Sequence, residues 1–119
     1  FCGGVTVGVP PNIMGVGPAY AIPRLLEKAK ISKDDVDIYE INEAFASQAL
    51  FSVEHLGLDL AKVNPVGGAI ALGHPLGATG SRQIATALSE AKRSGAKFVV
   101  TSMCIGTGMG MAALIVNEQ

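Results

Sequence analysis

Three side chains in this 119-residue sequence are candidates for chemistry: Asn42, His74 and Cys104. Histidine is the side chain type whose protonation changes in the physiological range, so His74 can serve as a base or as a hydrogen-bond donor. Cys104 opens a glycine-rich loop, where free backbone N–H groups can lower the pKa of a thiol and hold an oxyanion. These residue types predict a site with a base, a thiol and donors for an oxyanion.

Each of the three residues also has a purely structural interpretation. A free cysteine on an apolar strand is often an inert core thiol, and a histidine can be buried with its hydrogen bonds satisfied. Asn42 stands where the N-cap of a helix is expected, with Glu43 as a carboxylate of the first helical turn. The residue types alone leave both interpretations open.

The elements that must position these residues alternate between strands and helices. Hydrophobic periodicity predicts the order strand, helix, strand, helix, short extended segment, helix, strand, strand. The strands cover residues 2–9, 36–41, 97–103 and 111–116, and the helices start at Pro18, Asn42 and Ser81. The glycine-rich stretch 63–80 is not expected to form an ordinary helix. We therefore predict a layered α/β domain, its five-stranded sheet mixed and mostly parallel, with an antiparallel final pair.

This architecture places two candidates at one edge of the sheet. Asn42 follows the strand that ends at Ile41, and Cys104 follows the strand that ends at Met103. Ligands of open α/β sheets bind beyond the carboxyl ends of the strands. We expect His74, in the central glycine-rich loop, to converge on the same edge.

Composition excludes several classes of function. A net charge of −1 provides no basic surface for a nucleic acid, and no apolar run is long enough to cross a membrane. The two cysteines lack the spacing of a disulfide framework or a zinc site, so no metal is expected. The chain is 49% hydrophobic and only 16% charged, which predicts a surface buried against a partner.

With these residues in view, the sequence resembles the thiolases over essentially its whole length. The motifs that carry the resemblance are Asn42-Glu43-Ala44-Phe45, Gly73-His74-Pro75, and Cys104-Ile105-Gly106 in a glycine-rich turn. The segments 76–80 and 106–110 are more similar to degradative 3-ketoacyl-CoA thiolases, especially the peroxisomal kind. The resemblance implies that residues 1–119 are a C-terminal thiolase domain, one of two similar layered halves in a homo-oligomer.

The resemblance also implies a role for each site residue. His74 withdraws the proton of a nucleophilic cysteine and, with a water positioned by Asn42, holds the thioester oxygen. Cys104 is the acid and base that exchanges a proton with acetyl-CoA or incoming CoA, and Gly106 donates a backbone N–H to a second oxyanion hole. Ala44 and Phe45 line the acyl and pantetheine end of the site.

In that family the acylated cysteine belongs to the N-terminal half, and Cys2, at the start of a strand, is no substitute for it. We therefore expect the whole protein to cleave 3-ketoacyl-CoA with CoA as a substrate and without a further cofactor. The alternatives are a biosynthetic acetyl-CoA acetyltransferase and a thiolase-like interaction domain without chemistry. The expected location is intracellular, in the peroxisome, with the mitochondrion and the cytoplasm as alternatives.

Overall fold

A four-stranded mixed sheet forms the centre of the computed structural model, which describes all of residues 1–119. The strands are β1 Gly3–Gly8, β2 Ile38–Ile41, β3 Phe98–Cys104 and β4 Met109–Val116. The helices are α1 Gly17–Ala29, α2 Ala46–Leu56, α3 Ala69–Leu72 and α4 Leu76–Ser94, with 3₁₀ segments at Pro11–Val16 and Leu60–Lys62. The alternation of strands and helices predicted from the sequence is confirmed.

The order of strands across the sheet is β1-β4-β3-β2. β2 pairs parallel with β3, whereas β4 lies antiparallel between β3 and β1. Three strands therefore run in one direction, although two of the three pairings are antiparallel. The predicted fifth strand is reduced to a single parallel bridge between Val63 and Tyr39. The prediction of five strands was wrong because the chain turns away at Asn64, whose φ is +45°.

Two apolar clusters give the domain three layers. The larger one lies between one face of the sheet and helices α1 and α2, and includes Ile22, Leu25 and Tyr39. The smaller one joins the other face to α4 through Ala87, Ala91 and Val99. Side chains alternate between the faces of a strand, so both faces of the central strands are apolar and covered.

Helix boundaries differ from the sequence-based expectation in two places. The second helix begins at Ala46 rather than Asn42, and the long helix α4 begins at Leu76 rather than Ser81. The glycine-rich stretch thus contains both the short helix α3 and the first turn of α4. Gly57 and Gly95 end α2 and α4 in the left-handed conformation. None of the helices is both long and apolar enough to cross a membrane.

Helix α1 approaches strand β4 through a contact between two glycines. A Cβ atom on Gly17 would lie 2.7 Å from the Cα of Gly110, and a Cβ on Gly110 would overlap the Gly17 carbonyl. Any side chain at either position would separate α1 from the sheet. Glycine therefore sets the distance between these two layers.

We predict that Gly110→Ala destabilises the 119-residue chain by about 1–3 kcal/mol, because the added methyl group overpacks this contact. Gly77→Ala is the matched control, since Gly77 lies in α4 with open space around its Cα. It should leave the stability within about 1 kcal/mol of the parent, or raise it. Urea unfolding followed by circular dichroism measures both, and equal midpoints for the two variants would contradict the prediction.

Candidate active site

The parallel pairing of β2 with β3 brings Asn42 and Cys104 to one edge of the sheet. The Asn42 backbone N–H donates to the Ser102 carbonyl at 2.9 Å, which continues the ladder one residue beyond β2. Cys104 is two residues further along and is the last residue of β3, opposite Gly110. It therefore belongs to the strand and not, as expected from the sequence, to the loop.

Asn42 is not a helix cap, since α2 begins four residues later with Phe45 at its N-cap position. Asn42 is 1% exposed, and its backbone carbonyl accepts a hydrogen bond from the Gln48 side-chain amide at 2.8 Å. The side-chain nitrogen lies 3.5 Å from Nδ1 and 3.4 Å from Nε2 of His74. Its Oδ1 is buried and has no hydrogen-bond partner in the chain. Asn42 therefore contacts the histidine with one end of its amide and keeps an acceptor free at the other.

Glu43 connects the loop after β2 to the glycine-rich stretch. Its Oε1 accepts from the Asn64 side-chain nitrogen at 2.8 Å, and its Oε2 accepts from the Ile70 backbone N–H at 2.9 Å. A Cβ atom at Gly68 would overlap the Glu43 carboxylate. The expected role in the first turn of α2 was wrong, because the carboxylate instead caps the N-terminal end of α3 across the fold.

His74 lies between α3 and α4, directly after Gly73, which ends α3 with a φ of +96°. Its Nδ1 is 2.7 Å from the Oγ1 of Thr79, a fully buried residue in the first two turns of α4. Thr79 was not identified as a site residue from the sequence. The sequence does place a hydroxyl five positions after the imidazole. That spacing predicts a contact only if α4 begins at Leu76, whereas the sequence predicted a start at Ser81.

Cys104 is half-buried, and its thiol is free and makes no hydrogen bond to another side chain. Burial raises the pKa of the Cys104 thiol, and this outweighs the opposite effect of its own backbone N–H. The expected lowering of this pKa by loop N–H groups was therefore wrong. The raised pKa favours the protonated form of the Cys104 thiol.

The turn between β3 and β4 carries a backbone donor that no group in the chain uses. Gly106 has a φ of +81°, and its carbonyl accepts from the Met109 N–H at 3.1 Å. The Ile105 N–H donates to Met109 O at 3.0 Å, which leaves the Gly106 N–H without an acceptor. Since Gly106 is only partly buried, this N–H can donate to a bound oxygen.

Ala44 and Phe45 occupy the turn between the Asn42 site and α2. Ala44 is partly buried and Phe45 is 68% exposed. Other large apolar side chains are exposed in the segments that carry the site residues, namely Ile70, Leu72, Leu76 and Ile105. The site edge is therefore unusually apolar for a free surface.

The structure thus joins Asn42 to His74 directly and places Cys104 and Gly106 at the end of the neighbouring strand. The family model for the C-terminal domain of thiolases matches residues 2–117. The chain belongs to the thiolase family. Its sequence is 70% identical over 113 residues to a peroxisomal 3-ketoacyl-CoA thiolase of Yarrowia lipolytica, which covers 95% of this chain and 27% of that protein.

Solved thiolase structures match the whole domain. Two structures of the peroxisomal thiolase of Saccharomyces cerevisiae superpose on this chain at 63% identity. The dimeric one gives a TM-score of 0.91, and the five-layered one, built from two core domains of identical topology, gives 0.92. They cover 97% and 98% of this chain and 29% and 33% of theirs. Human mitochondrial 3-ketoacyl-CoA thiolase in complex with CoA gives 0.95 at 49% identity, covering 98% and 30%. The chain spans about a quarter of its curated relatives.

A buried charge pair lies directly behind the site of this thiolase domain. Glu40, in β2, is fully buried and pairs with Arg82 of α4 at 3.3 Å, while its second carboxylate oxygen has no partner. Gln83 donates to the carbonyls of Glu40 and Ser102 at 3.0 and 3.2 Å, which ties α4 to β2 and β3. Burial raises the pKa of Glu40 to about 7, an effect that Arg82 only partly offsets.

We predict that Glu40 makes the stability of the 119-residue chain depend on pH. The folded state holds this proton up to about pH 7, whereas the unfolded carboxyl releases it near its usual 4.5. Stability is therefore highest below pH 4.5 with respect to this group, and falls by up to about 3 kcal/mol as the pH rises to 7.

Urea midpoints measured from pH 4.5 to 8 test this prediction. Glu40→Gln should remove this component of the pH dependence, while Glu54→Gln, on the exposed side of α2, should keep it. If wild type and Glu40→Gln gave parallel curves, burial of Glu40 would not control its protonation.

Proposed function

We propose that residues 1–119 are the C-terminal catalytic domain of a 3-ketoacyl-CoA thiolase, which cleaves 3-ketoacyl-CoA with CoA to acetyl-CoA and an acyl-CoA two carbons shorter. The observation that carries the proposal is the contact between the Asn42 amide and the His74 imidazole at the edge where β3 ends in Cys104. The high identity to peroxisomal 3-ketoacyl-CoA thiolases supports the degradative reaction.

In this proposal the first proton transfer belongs to His74. A cysteine of an N-terminal half gives its thiol proton to His74, and the thiolate attacks the 3-keto carbonyl. The carbonyl oxygen is held by His74 and by a water bound to Asn42, whose buried Oδ1 supplies the free acceptor that such a water needs. Cleavage of the carbon–carbon bond leaves an acyl-cysteine and the enolate of acetyl-CoA.

Cys104 then serves as acid and as base. Its thiol protonates the α-carbon of the enolate, and the resulting thiolate takes the proton of incoming CoA, whose sulfur attacks the acyl-cysteine. The released cysteine thiolate recovers its proton from His74. Burial raises the pKa of Cys104 and so favours a thiol that still carries its proton when the enolate forms, and the unused Gly106 N–H suits the enolate oxygen.

Ala44 and Phe45 line the acyl and pantetheine end, and CoA acts as a substrate rather than a resident cofactor. The exposed apolar side chains at the site edge support docking against an N-terminal thiolase half, and the dimeric yeast relative supports a homo-oligomer. We propose the peroxisome as its location, because curated relatives at 70% and 66% identity are named peroxisomal.

Replacing Cys104 separates its role from acylation. In the full-length protein we expect Cys104→Ser to form the acyl-enzyme normally but to exchange the α-protons of acetyl-CoA about 100-fold or more slowly, because a serine hydroxyl is a far weaker acid. Deuterium incorporation followed by mass spectrometry measures the exchange. Cys2→Ser, at an exposed position, is the control and should match the wild type. Normal exchange in Cys104→Ser would contradict the assignment.

A comparison of the isolated domain with the full-length protein tests where the nucleophile lies. The 119-residue chain should show no detectable thiolysis of 3-ketoacyl-CoA, because neither Cys2 nor Cys104 replaces the acylated cysteine. The full-length protein should cleave substrates of several chain lengths. Turnover by the isolated chain at the full-length rate would refute the two-half proposal, whereas activity confined to acetoacetyl-CoA would favour an acetyl-CoA acetyltransferase.

A further inference from the structure

The hydrogen bond between Thr79 and His74 is the shortest polar contact that the imidazole makes. The distance of 2.7 Å from Thr79 Oγ1 to Nδ1 is typical of a well-formed hydrogen bond. Thr79 is fully buried, and its hydroxyl has no other hydrogen-bond partner in the chain. The β-branched side chain has few rotamers inside the 19-residue helix α4, and burial restricts it further.

Asn42 contacts the same ring differently. Its amide nitrogen is almost equally far from both ring nitrogens, at 3.4 and 3.5 Å, so it faces the ring edge between them. A single N–H cannot point at both nitrogens, and both distances lie near the limit for a hydrogen bond. Thr79 rather than Asn42 therefore determines the orientation of the imidazole, and Nε2 is the nitrogen left for chemistry.

The partner of one ring nitrogen decides what the other can do. A neutral imidazole carries one N–H, so a base at Nε2 requires the hydrogen to sit on Nδ1. A threonine hydroxyl can accept that hydrogen bond, and it can go on accepting it after Nε2 has gained a proton. The ring therefore need not turn between the two protonation states.

We propose that Thr79 is a positioning residue, which accepts the Nδ1–H of His74 and so keeps the Nε2 lone pair available to the reacting thiol. This inference rests on the proposed function for the tautomer, because it is the base role of Nε2 that requires the hydrogen on Nδ1, and for the identity of the proton that Nε2 moves. The orientation of the ring is a property of the chain itself, and the tautomer can be measured without turnover.

The test uses Thr79→Val and Thr79→Ser in the full-length protein. Valine has nearly the shape of threonine but no hydroxyl, whereas serine keeps the hydroxyl and loses only a methyl group. Nitrogen NMR of protein labelled with [15N]histidine, with His74 assigned by the loss of its signals in His74→Asn, reports which ring nitrogen carries hydrogen. Thiolysis and acyl-enzyme formation are measured in parallel, and thermal unfolding shows whether each variant folds.

We expect the neutral His74 of wild type and Thr79→Ser to carry its hydrogen on Nδ1, and Thr79→Val to lose this preference. Thr79→Val should lower kcat by about 10- to 100-fold with KM little changed, because a misplaced base costs rate rather than binding. Thr79→Ser should restore kcat to within about threefold of wild type.

Three results would overturn the proposal. They are hydrogen on Nε2 in the wild type, the same tautomer in Thr79→Val as in the wild type, or a loss of kcat in folded Thr79→Ser as large as that in Thr79→Val. A wild-type protein with the Nδ1–H tautomer but no thiolase activity would refute the proposed function and leave the role of Thr79 standing. The two conclusions are therefore separable.

Discussion

The geometry of the site depends on the two hydrogen bonds that the Glu43 carboxylate accepts. The carboxylate holds two donors, the Asn64 side chain and the Ile70 backbone, and so fixes the glycine-rich stretch against the loop that follows β2. The sequence contains 15 glycines among its 119 residues, and three of them, Gly67, Gly68 and Gly73, lie shortly before His74. A segment rich in glycine has little intrinsic preference for one backbone conformation. Because charge-assisted bonds are about twice as strong as neutral ones, one carboxylate can order this segment.

The same carboxylate explains why glycine is needed at Gly68. The two loops approach so closely that a Cβ atom there would occupy the space of the Glu43 carboxylate. The close approach allows α3 to start at Ala69, with Glu43 bonded to the Ile70 N–H in its first turn. One turn later Gly73 ends α3 with a positive φ, and His74 contacts Asn42. The Glu43 bridge, and not the sheet alone, therefore sets the distance between the imidazole and the amide.

The sequence predicts the layered fold well, because that fold depends on local patterns, and it predicts that Asn42 and His74 converge, as their contact in the structure shows. Alternating apolar strands, amphipathic helices and left-handed glycines at Gly57 and Gly95 are readable one element at a time. The errors concern contacts between distant segments. Asn42 and Glu43 carry the side chains of a helix start, yet they bond to residues 102 and 70, so tertiary hydrogen bonds displaced α2 by four residues. The roles of Thr79 and Gly68 required coordinates for the same reason.

The cost of building this site is visible in its unsatisfied polar atoms. Every buried side-chain atom that lacks a hydrogen-bond partner belongs to Glu40, Asn42, Gln48 or Arg82. Gln48 bonds to the Asn42 carbonyl, Glu40 lies two residues before Asn42, and Arg82 pairs with Glu40. Native proteins rarely leave such atoms unpaired, and each costs about 1–3 kcal/mol. Their concentration around one asparagine means that the fold gives up stability there and not elsewhere, which is the pattern expected where polar groups are reserved for a ligand or a partner surface.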